Sequence, residues 1–160
     1  AQLGLKHPIA IRYPRGRGIT TDWQKPYQKI EIGKANAIKN GSKLAVLSTG
    51  AIGNNVIQAI EKFDNSATIA HFDFGFVKPL DEYLLHTIFE KYENIITVED
   101  GVIKGGFGSA IIEFAASNHY KKSVKTLGVP DEFIEHGTIE ELQLYCKIDI
   151  NNLENIFKSY

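Results

Sequence analysis

All three arginines of the chain, Arg12, Arg15 and Arg17, fall within six consecutive positions of Pro8-Ile9-Ala10-Ile11-Arg12-Tyr13-Pro14-Arg15-Gly16-Arg17-Gly18. A strand that ends in Arg and Gly sets guanidinium forks beside bare backbone, a geometry that suits a phosphate. A second group of residues with chemical potential runs from Glu99 to Ser109. Here Gly105, Gly106 and Gly108 precede a helical pattern and Lys104 stands beside them. Backbone amides at such a helix start, with Ser109, could hold an anion. The other reading is that these glycines permit tight turning and close packing of a helix, including against a second subunit. Glu99 and Asp100 are adjacent acids at a strand end, so they point to opposite faces and at most one can line a given pocket. Glu99 is read as a helix-cap or loop-ordering acceptor, with a functional carboxylate as the alternative. Of the histidines, His136 in Glu135-His136-Gly137 is the functional candidate, and His71 belongs to a strand run as a core residue.

Other chemistries lack their signatures. The glycine spacing is not the Gly-x-Gly-x-x-Gly of dinucleotide sites, and no Gly-Lys-Ser/Thr phosphate loop occurs. No two histidines share metal-ligand spacing, and one cysteine makes no zinc cluster. Ser109 lacks the Gly-x-Ser-x-Gly elbow that a Ser-His-Asp triad would use.

The elements that must position these residues alternate between strand and helix. Leu44–Leu47, Ala67–Phe72, Ile95–Val98 and Ser123–Leu127 are short apolar or β-branched runs, the first and third continuous enough for burial on both faces. Ile52, Val56, Ile57, Ile60 and Phe63 mark one helix stripe. Leu80, Leu84, Leu85, Ile88, Phe89 and Tyr92 mark a second, opened by Pro79 with Asp81 and Glu82 in its first turn. Phe107, Ala110, Ile111, Phe114 and Ala115 mark a third. Short helices near 139–146 and 152–159 close the chain. Strand then helix, repeated, predicts a three-layer α/β fold: a mainly parallel sheet with helices on both faces. Residues 35–38 are expected to add one antiparallel edge strand, joined to the strand at 44 through an Asn40-Gly41 turn. Ligands in such sheets sit at the carboxyl ends of strands, which directs attention to residues 48–53, 73–78 and 99–109.

At 160 residues, 43% hydrophobic and 23% charged, the chain has the composition of one globular domain plus an arm, able to bury roughly 70% of its unfolded surface. Cys146 is the lone cysteine, which rules out an intramolecular disulfide, fits a reducing cytoplasmic compartment and is read as a buried helix residue. No run reaches the ~20 apolar residues of a membrane span. Methionine is absent, so the sequence is expected to be a segment of a longer polypeptide. Residues 1–43 hold nine Lys or Arg against two acids, whereas residues 44–160 hold nine against seventeen. Without a helix-turn-helix, zinc or RNA-binding signature, the basic arm is read as lying against the acidic body and further domains, not against nucleic acid.

Arg12-Tyr13-Pro14-Arg15-Gly16 resembles the end of the pyrimidine-binding domain of 1-deoxy-D-xylulose-5-phosphate synthases, thiamine-diphosphate enzymes related to transketolase. Leu47-Ser48-Thr49-Gly50, Phe76-Val77-Lys78-Pro79-Leu80-Asp81, Val98-Glu99-Asp100-Gly101 with Gly105-Gly106-Phe107-Gly108-Ser109, Gly128-Val129-Pro130-Asp131 and Phe133-Ile134-Glu135-His136-Gly137 resemble that family's C-terminal domain in the same order. Lys104 departs from it, since the family usually carries an apolar residue there. The resemblance implies residues 1–15 as the end of the pyrimidine domain, 16–29 as linker and 30–160 as a transketolase-type C-terminal domain. It further implies condensation of pyruvate with glyceraldehyde 3-phosphate, with thiamine diphosphate and Mg2+ held upstream, none in this segment, and a homodimer. Arg15 would carry the substrate phosphate, with Arg12 as runner-up. A contact with acids across a domain boundary is the other reading for all three arginines. Two rivals stay open: a free-standing α/β module binding a nucleotide or other phospholigand, and the β subunit of a 2-oxoacid dehydrogenase.

Overall fold

The computed structural model describes residues 7–14, 18, 24, 26 and 29–160. Arg15, Arg17 and most of the expected linker at 16–29 lie outside the described residues. Five strands form one sheet: β1 (Asn36–Lys39), β2 (Leu44–Thr49), β3 (Ile69–Asp73), β4 (Asn94–Val102) and β5 (Ser123–Val129). Between and after them come α1 (Gly53–Lys62), α2 (Glu82–Lys91), α3 (Phe107–Ser117), α4 (Ile139–Tyr145) and α5 (Ile150–Phe157). The spatial order is β1-β3-β2-β4-β5. β2 runs parallel to both of its neighbours, β5 is parallel to β4, and β1 alone is antiparallel.

Alternation along the strands builds the layers. Ala45 and Leu47 of β2, with Ala70, Phe72 and Ile95, pack against Leu85, Ile88 and Phe89 of α2 and Ile111 and Phe114 of α3. Leu44 and Val46, with Ile69, Ile96 and Val98, pack against Val56 and Ile60 of α1 and Leu153 and Phe157 of α5. Because β2 is covered on both faces and paired on both edges, its sequence reads as an unbroken apolar run. The three-layer α/β expectation therefore describes the fold.

One pairing differs. The edge strand exists and is antiparallel, but β1 pairs with β3 and not with β2. Both edges of β2 are occupied by β3 and β4, so no hairpin can form through Asn40-Gly41. The 40–43 segment instead crosses the start of β3, where the amides of Ser42 and Lys43 both donate to Thr68 O. Gly41 has no room for a side chain, since a Cβ there would lie 2.2 Å from the Ile69 carbonyl carbon.

Two helix starts also move. α2 begins at Glu82 because Asp81 caps it, its carboxylate accepting the Leu84 amide at 3.2 Å. Asp81 also receives the Ala35 amide at 3.2 Å, which fastens the approach to β1 onto α2. α5 begins at Ile150, two residues earlier than its apolar spacing suggests, because Asp149 accepts the Asn151 and Asn152 amides. Cys146, expected inside a helix, is partly buried and serves as the C-cap of α4.

His71 is a core residue, 1% exposed, with Nε2 2.8 Å from Ser48 Oγ. The pair fits under the first turn of α1 because position 53 is glycine, where a Cβ would sit 2.8 Å from Ser48 Oγ. Burial lowers the imidazole pKa from 6.5 to about 4. The unfolded chain thus binds a proton at His71 below pH 6.5 that the folded chain takes up only near pH 4. Stability is full above pH 6.5 and falls as pH drops toward 4, by at most about 3 kcal/mol from this residue. Burial raises the Asp73 carboxyl pKa, which acts in the opposite sense as pH rises through that group's folded value. Urea midpoints measured between pH 7 and 4.5 are expected to fall less steeply in His71→Gln than in the native chain.

Candidate functional site

The carboxyl ends of β4 and β5 carry most of the residues that the sequence singled out. β4 does not stop at Val98. It continues to Val102 through an irregularity in its pairing with β5, so that Val98 faces Leu127 and Val102 faces Val129. A bulge of this kind re-aims the side chains within it. Glu99 turns toward α3 and is 4% exposed, whereas Asp100 points to solvent.

The Glu99 carboxylate accepts two backbone hydrogen bonds at the start of α3, from Phe107 N to Oε2 and Gly108 N to Oε1, each 2.9 Å long. It occupies the capping position, and it meets the positive end of the helix with a full charge. Small residues make the approach possible. A Cβ at Gly106 would fall 2.2 Å from Glu99 Oε2, and one at Gly128 would fall 2.9 Å from Glu99 Cγ and 2.8 Å from Gly101 O. Gly108 faces inward as well: a Cβ there would lie 2.6 Å from both Thr97 Oγ1 and Thr126 Cγ2. Position 108 therefore packs α3 onto β4 and β5 and offers nothing to a second subunit.

The rest of the loop is ordered from within. Gly105 sits at φ +72°, its amide donates to Ser109 Oγ at 2.9 Å, and that hydroxyl donates to Ile103 O at 2.8 Å. Lys104 pairs with Asp131 at 3.0 Å, both well exposed. Several of the donors considered for an anion are thus engaged by acceptors of the chain itself.

Arg12 reaches this loop from the arm. Its Nη2 donates to Asp100 O at 2.7 Å, and its Nη1 would stand 3.1 Å from a Cβ at Gly101. The partner is a backbone carbonyl, which leaves no trace in the amino-acid pattern. His136 is exposed in the connection between β5 and α4. In that same connection Phe133 stands fully in solvent and, with Val102, Pro130, Asp131 and Glu132, lines an open groove of about 270 Å³. The sequence placed Phe133 inside a motif but did not mark its exposure. Among the described residues no group of three or more His, Cys, Asp or Glu is arranged to hold a metal ion, and no helix is long and apolar enough to cross a membrane.

A mixed five-stranded sheet between two helix layers, with a glycine-built loop at the end of β4, defines an α/β domain of the transketolase type. Residues 33–153 match the family described as Transketolase, C-terminal domain, and the chain belongs to that family. Curated relatives are named 1-deoxy-D-xylulose-5-phosphate synthase. That of Parabacteroides distasonis is 53% identical over 152 residues, covering 94% of this chain and 24% of the relative. That of Bacteroides fragilis is 49% identical over 151 residues, covering 93% and 23%. The chain spans about a quarter of the length of the curated relatives it matches. Among solved structures, a split-gene transketolase described as an inactive beta4 tetramer superposes with TM-score 0.74 at 22% identity, over 82% of this chain and 43% of that one. A transketolase of Campylobacter jejuni gives 0.58 at 15% identity, over 80% and 19%. These likenesses establish the fold.

Removing the Glu99 carboxylate leaves two buried amides without acceptors. Glu99→Ala is expected to cost about 3 kcal/mol, and Glu99→Gln, which keeps one acceptor oxygen but turns an amide N–H toward a backbone N–H, roughly 2 kcal/mol. Lys104→Ala, breaking an exposed pair, should cost less than about 0.5 kcal/mol. Urea denaturation of the three variants tests the ranking.

Proposed function

We propose that this chain is the carboxyl-terminal portion of a 1-deoxy-D-xylulose-5-phosphate synthase. The observation that carries the reading is 53% identity to such an enzyme over 152 residues. In this reading the complete enzyme condenses pyruvate with glyceraldehyde 3-phosphate, releases carbon dioxide and forms 1-deoxyxylulose 5-phosphate in the cytoplasm. Residues 1–15 end the preceding pyrimidine-binding domain, 16–29 link the domains, and 30–160 form the C-terminal domain.

Thiamine diphosphate supplies the electron sink for decarboxylation of pyruvate. The described residues of this chain do not fit it: they offer no acidic cluster for Mg2+, and the Glu99 carboxylate is committed to the α3 amides. In this reading the cofactor and its metal belong to the remaining domains. What this chain contributes is the arm that carries Arg15, supported by a rigid loop at the end of β4, and packing surface for those domains and a second copy. The solvent side of α3, where Ile112 is 44% exposed beside Ala116, is the surface assigned to the homodimer contact.

The complete enzyme is expected to form 1-deoxyxylulose 5-phosphate as it releases carbon dioxide from pyruvate and consumes the aldehyde, and the 160-residue chain alone to form none. Chromatography of the products tests this. Transfer of the acyl group to a lipoyl domain, or no carbon–carbon bond formation, would remove the synthase reading.

Within that reading Arg15 holds the phosphate of glyceraldehyde 3-phosphate, because Pro14 fixes the approach and Gly16 leaves the backbone open. Arg15→Ala should lower kcat/KM for the phosphorylated aldehyde about 10²-fold, equivalent to about 2.7 kcal/mol of transition-state stabilisation. Arg15→Lys should recover only part, since an ammonium lacks the bidentate fork. Unphosphorylated glyceraldehyde should be nearly indifferent, and equal losses with both aldehydes would assign Arg15 to the fold instead.

A further inference from the structure

A ring nitrogen shut away from water needs a partner, and Nδ1 of His71 has none among the described residues. The ring is 1% exposed, and its Nε2 is committed to Ser48 Oγ on β2. The two nitrogens of an imidazole point in nearly opposite directions, so Nδ1 is turned away from β2. On that side β3 is bordered by β1, with Lys39 opposite His71. The pairing of the two strands is irregular between Ala37 and Lys39, and beside it a cavity of about 350 Å³ opens between β1 and α1. Ile38 of β1 and Ile57 and Ile60 of α1 form its apolar walls, and Lys39, Glu61 and Ser66 are its polar residues. His71 also lines it and is the least exposed of its lining residues.

We propose that this cavity is a binding site for a small uncharged molecule with a compact apolar body and one hydroxyl group, which pairs with His71 Nδ1. The volume is in the lower range of small-molecule sites, where apolar walls and few polar groups are the rule. Lys39 offers nothing to an anion. Its Nζ donates to the carbonyls of Asn40, Ser66 and Ile69, which uses all three of its N–H groups and fixes the turn at Ser66–Thr68 against β1. Burial holds the imidazole pKa at about 4, so the ring is neutral near pH 7 and supplies no counter-charge at the inner end. A charged ligand would lose its hydration to three isoleucines without an ion partner. A hydroxyl suits the histidine in either tautomer, because it donates to a bare Nδ1 and accepts from an Nδ1–H. The site is built within this domain and stands independently of the synthase reading.

Phenol and toluene differ by the hydroxyl alone at nearly equal size, and the 160-residue chain labelled with 15N-histidine distinguishes them. Phenol should shift the His71 ring resonances and saturate with a Kd on the order of 1 mM, the affinity available to so small a ligand. Toluene should bind about tenfold more weakly, since it leaves Nδ1 unpaired. Ile57→Trp fills the cavity and should abolish the phenol shift while the rest of the amide spectrum stays dispersed. Ile38→Ser, at a position 47% exposed and so safe for folding, should weaken phenol about fivefold by removing one wall. His71 resonances unmoved by phenol would overturn the proposal, and so would equal affinities for phenol and toluene. Binding untouched by both Ile57→Trp and Ile38→Ser would place phenol elsewhere on the chain and overturn it as well.

Discussion

A carboxylate buried at the foot of a helix needs donors on every side from which water has been removed. Glu99 finds them in the Phe107 and Gly108 amides, and the need to bring it there shapes much of the surrounding chain. The bulge in β4 turns it toward α3, and Gly106 and Gly128 give up their side chains to let it in. Gly108 then allows the helix to settle onto Thr97 and Thr126. The result is a β4–α3 connection whose backbone is set by an internal charge, so anything resting on the outside of the bulge rests on a fixed support.

The layers carry that support. β2 lies at the centre of the sheet with parallel neighbours on both edges, and its alternate residues feed the α2–α3 layer and the α1–α5 layer. β4 is its direct partner, in register from Leu44 opposite Asn94 to Thr49 opposite Glu99. The position of Glu99 is therefore tied, residue by residue, to the most buried strand of the protein. At the other edge the antiparallel β1 is fastened through Ala35 to the Asp81 cap of α2.

Much of this was legible in the amino-acid pattern, for a physical reason. Strands covered on both faces must be apolar throughout, and helices covered on one side must show a stripe, so the layers could be read from Leu44–Leu47, Ile95–Val98 and the stripes of α1 to α3. What depended on competition between distant segments could not be read. Asn40-Gly41 is a sound local turn signal, but the edge of β2 it pointed to is claimed by β3. Gly108 and Ala116 look alike as small helix residues, and only the sheet decides that one faces Thr97 and the other faces solvent. The capping part of Glu99 was legible because an acid at a strand end just before a glycine-led helix has few other places to point. The Arg12 partner was not, because every residue has a backbone carbonyl. Arg15, on which the substrate-phosphate assignment rests, lies outside the described residues.

The strand order also bears on how the chain comes together as it is synthesised. Within this domain β2 is made before both strands that flank it, which begin 25 and 50 residues after it does, and the strand made just before it pairs elsewhere. Until β3 and β4 arrive, Leu44-Ala45-Val46-Leu47 is an apolar strand with two open edges, the kind of segment that seeks partners from other chains. Pairing over such sequence separations is slow compared with helix formation. The feature that makes β2 the best-protected strand in the finished domain makes it the most exposed one during assembly.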